Sequence, residues 1–433
     1  MPADAIESPT MFNVFRAAPI RAATERERKL IRLHATTSLR ARLGSGDTPA
    51  LGEAGRGDVV SPGILHVVHS LTQGGTERTL IALLRALATG PFRHAVATLR
   101  EAGPLAAELP DMIACRPIGA LRARRLTPTS RIVSVRLARY ARRFGTRIIH
   151  ARNTGCWADA TLAAWLTPGA QLVLGFHGLE SATPLPPRRR RIAGWACRTG
   201  AKFTTVSQAG KTLLVEQARI PAERITVLPN GVDREAFKPQ SRSIRQVART
   251  SFEYSEKEWV VGIVGSLTTV KGHDTLLAAA ACIAADNPHL RLLIVGDGPL
   301  RATLAQEAQA AGVADRVRFT GWRDDVPAIL SAMDVFVCAS ESEGMSNAML
   351  EAMAAGLPIV ATSVGDHSHL LRHGIEGLLV PPGAPRAMAG ALAQLARDQA
   401  LRQRFATAAR TRSAAFEFRE TVRAYAGFYE TLS

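Results

Sequence analysis

Residues 337–365 read VCASESEGMSNAMLEAMAAGLPIVATSVG, and the succession of residue types along this stretch decides the fold. It opens on a β-rich apolar run (334–339) and passes through a polar turn, Ser340-Glu341-Ser342-Glu343-Gly344. An Ala- and Met-rich helix follows, stops at Gly356-Leu357-Pro358, and gives way at once to a new strand at 359–362. Strand, loop, helix and strand make one βαβ unit of a parallel sheet, with its loop at the carboxyl edge where such sheets bind ligands. Backbone amides near Gly344, Met345 and Ser346 fall at the helix N-terminus, where unpaired N–H groups favour an anion. Glu343 precedes that helix and Glu351 lies within it.

A glutamate beside an anion site must bind something other than the anion. Hydroxyls of a sugar or a ribose suit it, because a carboxylate accepts two such hydrogen bonds at once. The alternative, solvated charges or partners of the helix dipole, suits Glu343 alone. It suits Glu351 less, because its helix is nearly all Ala, Met and Leu and is predicted to be buried, where a carboxylate is rarely left unpaired.

Residues 343–358, EGMSNAMLEAMAAGLP, resemble the EG…LLEAMAxGxP signature of retaining glycosyltransferases of the GT-B fold, the family 4 group. The resemblance implies that Glu351 binds the donor ribose and that Glu343 contacts the donor sugar. It also implies that the segment carrying Gly344, Met345, Ser346, Asn347 and Leu350 holds the donor diphosphate.

At 433 residues the chain is expected to form two domains rather than one core. A hydrophobic fraction of 46% and a charged fraction of 21% are those of a globular protein, but the net charge of +17 is not ordinary. It suggests attraction to phosphorylated substrates, an anionic membrane surface or nucleic acid. Phe, Tyr and Trp total only 5%, and no recognition motif accompanies the charge, which argues against nucleic acid. Arginine supplies nearly all the positive charge; the lysines are Lys29, Lys202, Lys211, Lys238, Lys257 and Lys271. The five cysteines are scattered without a C-x-x-C pair, which fits neither a disulfide framework nor a zinc motif and suits a reducing cytoplasm. The longest apolar run, 276–285, is too short to cross a bilayer, and no N-terminal stretch has a signal-peptide core. A cytoplasmic protein, lying if anywhere on the inner face of the plasma membrane, is therefore expected.

Along the chain, residues 1–57 read as a basic extension, with a charged helix at 23–43 and a linker at 44–57. A first strand at 64–69 leads into Gly74-Gly75, which open a helix with Leu80, Leu83, Leu84 and Leu87 at helical spacing. Gly74, Gly75, Thr76 and Glu77 resemble the family's GGxE element, which implies a loop at the cleft near the acceptor and the donor phosphate; by itself it is a tight turn. Further strands at 94–99, 147–150, 172–176, 203–206 and 225–228 alternate with helices, the pattern of a parallel α/β domain. His177 directly follows one of them, and the family commonly places here a histidine that touches the donor sugar. Arginines cluster at Arg122, Arg124, Arg125, Arg131, Arg136, Arg139, Arg142 and Arg143, and again at 188–191 beside Trp195. Such tracts suit an interfacial segment on anionic lipid, or equally the solvated faces of an Arg-biased protein. Residues 225–233, ITVLPNGVD, resemble the element that ends the family's first domain.

The second domain opens with a strand at 260–265 and a loop leading to Lys271-Gly272. The family motif is GRL…KG, with an arginine and a lysine gripping the diphosphate. Lys271 matches, whereas Ser266 stands in place of the arginine and leaves one positive charge fewer. GDGP at 296–299, with Gly298, and the strand end at Trp322 and Arg323 resemble positions near the donor and its base. Asp324 and Asp325 do not read as a metal site, Asp325 fits a helix cap, and the resemblance implies no bound metal or other cofactor. A terminal helix carries Phe418, Val422, Tyr425 and Tyr429 on one face.

The expected protein is α/β, with the GT-B arrangement of two Rossmann-like doubly wound parallel-sheet domains facing across a cleft. Its parts are an extension (1–57), an acceptor-side domain (58–236), a linker (237–258), a nucleotide-sugar domain (259–410) and a crossing C-terminal helix (411–433). The resemblance implies a retaining glycosyltransferase that uses a nucleotide diphosphate sugar as co-substrate. Its acceptor would be a saccharide or a polyprenyl- or lipid-linked saccharide of surface polysaccharide or glycolipid synthesis. His177 and Glu343 orient the sugar; Ser266, Lys271, Gly298, Trp322 and the 344–351 segment bind the donor; Gly74, Gly75 and Thr76 form the acceptor and phosphate loop. Two alternatives stay open: a non-catalytic, membrane- or polyanion-binding relative, favoured by Ser266, and a nucleotide-sugar epimerase of the same fold.

Overall fold

The computed structural model describes residues 61–72, 74–119, 131–178 and 184–433. The 1–57 extension with its expected helix and linker, and Arg122, Arg124 and Arg125 of the basic segment, lie outside the described residues.

Strands β1 (Gly63–Val68), β2 (Arg93–Thr98), β3 (Ala114–Pro117), β4 (Thr146–Ala151), β5 (Gln171–Phe176), β6 (Lys202–Thr205) and β7 (Ile225–Val227) form a seven-stranded sheet in the order β3-β2-β1-β4-β5-β6-β7. Strands β8 (Trp259–Val264), β9 (Leu290–Val295), β10 (Val317–Phe319), β11 (Val335–Cys338), β12 (Ile359–Thr362) and β13 (Gly377–Val380) form a second sheet in the order β10-β9-β8-β11-β12-β13. Pairing is parallel throughout, as between β1 and β4 and between β8 and β11. Helices cover both faces, so inner strands read as unbroken apolar runs; every residue of β1, β11 and β12 is buried. Strand β3 was not legible in the sequence. Its ACRP is short, mostly exposed and ends in proline, which an edge strand tolerates.

In each sheet the winding reverses once, between β1 and β4 and between β8 and β11. Loops that leave neighbouring strands in opposite directions open a crevice there, and ligands of doubly wound sheets occupy it. The loops after β8 and β11 carry Lys271 and Glu343, so the residues singled out in the sequence fall at the second sheet's switch point.

Residues 237–258 are more than a polar connection. They include the helix Arg242–Ser251, whose Ala248 and the following Phe252 join the core with Ile329 and Met333. Arg245 and the fully buried Arg249 both reach Asp334, Arg245 at 2.6 Å. Two of the charges that made the segment look like a linker are spent on that carboxylate.

The last helix, Phe418–Glu430, returns to the first sheet, and Tyr425, Phe428 and Tyr429 pack with Ile64, Leu83, Phe92 and Ile148. Val232 locks the return: its amide donates to the Phe416 carbonyl at 2.8 Å and its carbonyl accepts from Phe418 at 3.0 Å. Under this helix, His150 Nδ1 lies 2.9 Å from the Tyr429 hydroxyl and His66 Nε2 lies 3.1 Å from His94 Nδ1. Burial holds these imidazoles neutral, that of His94 with its pKa down to about 4. Among the described residues, no helix is long and apolar enough to cross a membrane.

Candidate active site

After β8, the loop 265–271 ends in Lys271, whose Nζ lies 2.5 Å from Glu343 Oε2. The Ser340 hydroxyl donates to the same oxygen at 3.0 Å. Burial alone would raise the Glu343 carboxyl, but the Lys271 ammonium outweighs it and holds the group below the usual carboxylate range. The converse holds for Lys271: burial would lower it, and Glu343 keeps it above the ordinary lysine value. The pair is thus fully ionised at neutral pH. Ser266 is exposed at the start of this loop. Gly298 packs closely against this loop. A Cβ there would stand 2.6 Å from the Leu267 carbonyl oxygen, and its amide donates to its neighbour Asp297 at 2.8 Å.

After β11, Ser346 caps the helix Asn347–Ala354, its hydroxyl accepting from the Met349 amide at 3.3 Å. Among the described residues, nothing accepts from the amides of Gly344, Met345, Ser346, Asn347 and Ala348, which leaves a positive helix end open to an anion. Leu350, expected at the donor, presents nothing there. Its side chain is wholly buried and its amide donates to the Ser346 carbonyl at 3.2 Å. The Glu351 carboxylate makes no hydrogen bond or ion pair among the described residues, and burial, opposed by the charge of Arg78, pushes its pKa up to about 7.

Arg78, from the helix Gly75–Leu87 of the other sheet, sets its guanidinium 4.8 Å from the ring centroid of the half-exposed Trp322. Arg323, weighed for the base, is bound instead to Asp325 by contacts of 2.8 and 2.6 Å. Asp325 does precede the helix Val326–Ala332, yet its side chain caps nothing, because that arginine holds it.

The first sheet brings its own edge to this spot. His177 follows β5, and burial, helped by Arg152, lowers its pKa to about 3, so the ring is neutral. The next residue, Gly178, has φ +123°, and a Cβ there would stand 2.9 Å from the Gly344 nitrogen; a Cβ at Gly344 would stand 2.4 Å from the His177 oxygen. Only glycine lets the two backbones meet. Gly74 is the N-cap of the helix Gly75–Leu87, with Thr76 in its first turn. That helix end meets the second domain where Asn347 Nδ2 donates to the Thr79 hydroxyl at 2.9 Å. Two further contacts clasp the cleft. Asn230 Nδ2 donates to the Met345 carbonyl at 3.2 Å, and both Asp366 oxygens accept from the Gln208 and Ala209 amides at 3.0 Å. The structure therefore gathers His177, Lys271, Glu343, the 344–348 amides, Glu351 and Trp322 at one cleft.

Two family models match the chain, Glycosyltransferase Family 4 over residues 73–236 and Glycosyl transferases group 1 over residues 258–398. A GDP-mannose-dependent alpha-(1-6)-phosphatidylinositol monomannoside mannosyltransferase of Mycobacterium tuberculosis is 34% identical over 265 residues, which span 58% of this chain and 68% of that protein. The chain belongs to the family 4 glycosyltransferases. A second member, the 2-deoxystreptamine glucosyltransferase of Streptomyces kanamyceticus, is 30% identical over 211 residues. That match spans 48% of this chain and about half, 54%, of the relative's length. A crystal structure of Anabaena Alr3699/HepE in complex with UDP and glucose superposes with a TM-score of 0.75 at 24% identity, over 86% of this chain and all of that one. The likeness confirms the GT-B fold expected of the family.

Sequence reasoning missed Arg78 and Asp366. Arg78 stands one helical turn after Gly74 and so faces the same way as the loop it follows, a signal that was available. Asp366 follows β12 in a turn, and nothing in its neighbours announces that its partners are amides more than 150 residues away.

Proposed function

We propose that the chain transfers a sugar from a nucleotide diphosphate sugar to a saccharide or a polyprenyl- or lipid-linked acceptor, with retention at the anomeric carbon, in surface polysaccharide or glycolipid synthesis. The observation that carries the reading is the meeting of the two sheets at Gly178 and Gly344. It sets a neutral imidazole from one domain against the open helix end, ion pair and unpartnered carboxylate of the other. HepE binds UDP and glucose, and the mycobacterial relative uses GDP-mannose, so the nucleotide class is shared while the base differs.

In this reading the 344–348 amides and Lys271 take the diphosphate, and Glu351 accepts the ribose hydroxyls. His177 and Glu343 orient the sugar. The hard step is departure of the nucleotide diphosphate, and the preorganised positive groups lower it by meeting the charge that develops on the leaving oxygen. Glu343 acts as an acceptor of sugar hydroxyls rather than as a nucleophile, because Lys271 and Ser340 already hold its carboxylate. The acceptor oxygen bonds to the anomeric carbon on the face the leaving group vacates, the old C–O bond breaks, and the acceptor proton passes to the departing phosphate. Arg78 brings a positive charge to the cleft from the first sheet, beside Trp322 and Glu351. Outside the cleft, the helix Pro187–Arg198 exposes Arg188, Arg190, Arg191 and Trp195, a face suited to anionic lipid at the inner membrane surface.

Calorimetric titration of the full chain with UDP, GDP and ADP tests the reading, alongside Lys271→Ala and Glu351→Ala. Selective binding of one nucleotide, weakened in both variants, is the expected result. A folded protein that binds none of them would leave a degenerate relative as the better account.

A further inference from the structure

Strand β11 ends on Cys338, and the turn after β12 brings His367 beside it, with Sγ 3.6 Å from Nε2. Both side chains are buried, His367 completely. His367 Nδ1 lies 2.7 Å from the carbonyl oxygen of Thr362, which can only accept, so Nδ1 carries a proton and donates. Nε2 is left to face the sulfur. One oxygen of Glu343 completes the group, and the three atoms all lie within 4.8 Å of one another. Donor binding uses neither the thiol nor the imidazole. We propose that Cys338, His367 and Glu343 form a binding site for one soft divalent cation of the zinc class.

The distances carry the inference. With zinc–sulfur and zinc–nitrogen bonds of about 2.3 and 2.0–2.1 Å, two ligands at a tetrahedral angle stand about 3.5 Å apart. The observed 3.6 Å matches that separation. A ring whose other nitrogen is fixed to a backbone carbonyl has the tautomer and orientation of a metal-bound histidine. Glu343 closes the third corner by side-chain rotation. The fourth falls to water or to the Ser340 hydroxyl, 3.8 Å from the sulfur. A thiolate and an imidazole select zinc over magnesium or calcium, which take oxygen ligands. Binding releases the one proton that thiol and imidazole hold between Sγ and Nε2, and two anionic ligands then balance the cation.

The cation competes with Lys271, whose ammonium now holds Glu343 at 2.5 Å. Occupancy therefore draws the carboxylate away from the lysine at the floor of the cleft. The inference stands on this geometry and not on the glycosyl-transfer reading.

The test uses the full chain, reduced, stripped with a chelator and titrated with cobalt(II), then with zinc. One equivalent of cobalt should bind with a sulfur-to-cobalt charge-transfer band in the near ultraviolet, and zinc should displace it. Cys338→Ser should abolish the band, whereas Cys282→Ser and Cys115→Ser keep it. Lys271→Met removes the competing charge and should tighten zinc binding by at least roughly tenfold, a gain that misfolding cannot imitate. No metal uptake at micromolar zinc, a band that survives Cys338→Ser, or unchanged affinity in Lys271→Met would each overturn the proposal.

Discussion

The raised pKa of Glu351 makes donor affinity depend on pH in a calculable way. Ribose hydroxyls that both donate to this carboxylate require it ionised, and burial has brought its pKa to about 7. Affinity should therefore level off above about pH 8 and fall as the group protonates, by roughly tenfold at pH 6 and roughly thirtyfold at pH 5.5. His177 does not titrate in this window, since burial lowers its pKa to about 3. The ligand must not titrate there either, so UDP-glucose and GDP-mannose are the probes, their diphosphates being esterified at both ends. Calorimetry from pH 5.5 to 8.5 is the assay. Glu351→Gln should flatten the profile, and Arg78→Met should move its midpoint upward, because Arg78 is the charge that opposes the shift. A flat wild-type profile, or the same slope in Glu351→Gln, would refute the ribose role.

The same shift has a consequence for stability, with the opposite sign. A carboxyl whose folded pKa lies above the unfolded 4.5 is penalised when ionised, so stability is lost as pH rises from about 4.5 through 7. Glu351→Gln should gain at most about 3 kcal/mol at pH 8 and nothing at pH 4, measured by urea unfolding. Tighter binding and lower stability at high pH thus come from one carboxylate held for a ligand rather than for the fold.

Other side chains offer sharper tests of single contacts. Lys271→Ala strands the buried Glu343 carboxylate and should cut donor affinity by on the order of a hundredfold in calorimetry, with no rescue by Lys271→Arg, whose planar fork does not reproduce a 2.5 Å point contact. Asp366→Ala leaves the Gln208 and Ala209 amides without acceptors and should cost about 1–2 kcal/mol of interdomain closure, seen as a larger radius of gyration in small-angle scattering. Tyr429→Phe removes the hydroxyl at His150 and should cost about 1 kcal/mol in urea unfolding, against about 3–5 kcal/mol for Tyr429→Ala, which also empties the space under the last helix.

What the sequence could and could not disclose follows from the range of the forces involved. Strands β1, β4, β5, β8, β11 and β12 were legible because both of their faces are covered, and burial on two sides leaves an unbroken apolar run. β3, one exposed edge, leaves none. The 343–351 segment was legible for a local reason: its loop, cap and helix lie within one βαβ unit, so chain spacing fixes their geometry. Leu350 shows where spacing misleads, since a position inside a binding motif can serve only the helix that presents it. Partners between domains leave no such trace. Asp366 on the Gln208 and Ala209 amides, Asn230 on Met345 and Arg78 over Trp322 are each set by how the two sheets face one another. The Cys338–His367 pair, 29 residues apart in the chain, is close only because β11 and β12 are neighbours in the sheet, with Phe336 opposite Ile359. Function at such a cleft is written in the second kind of contact, and the first kind only says where the cleft will be.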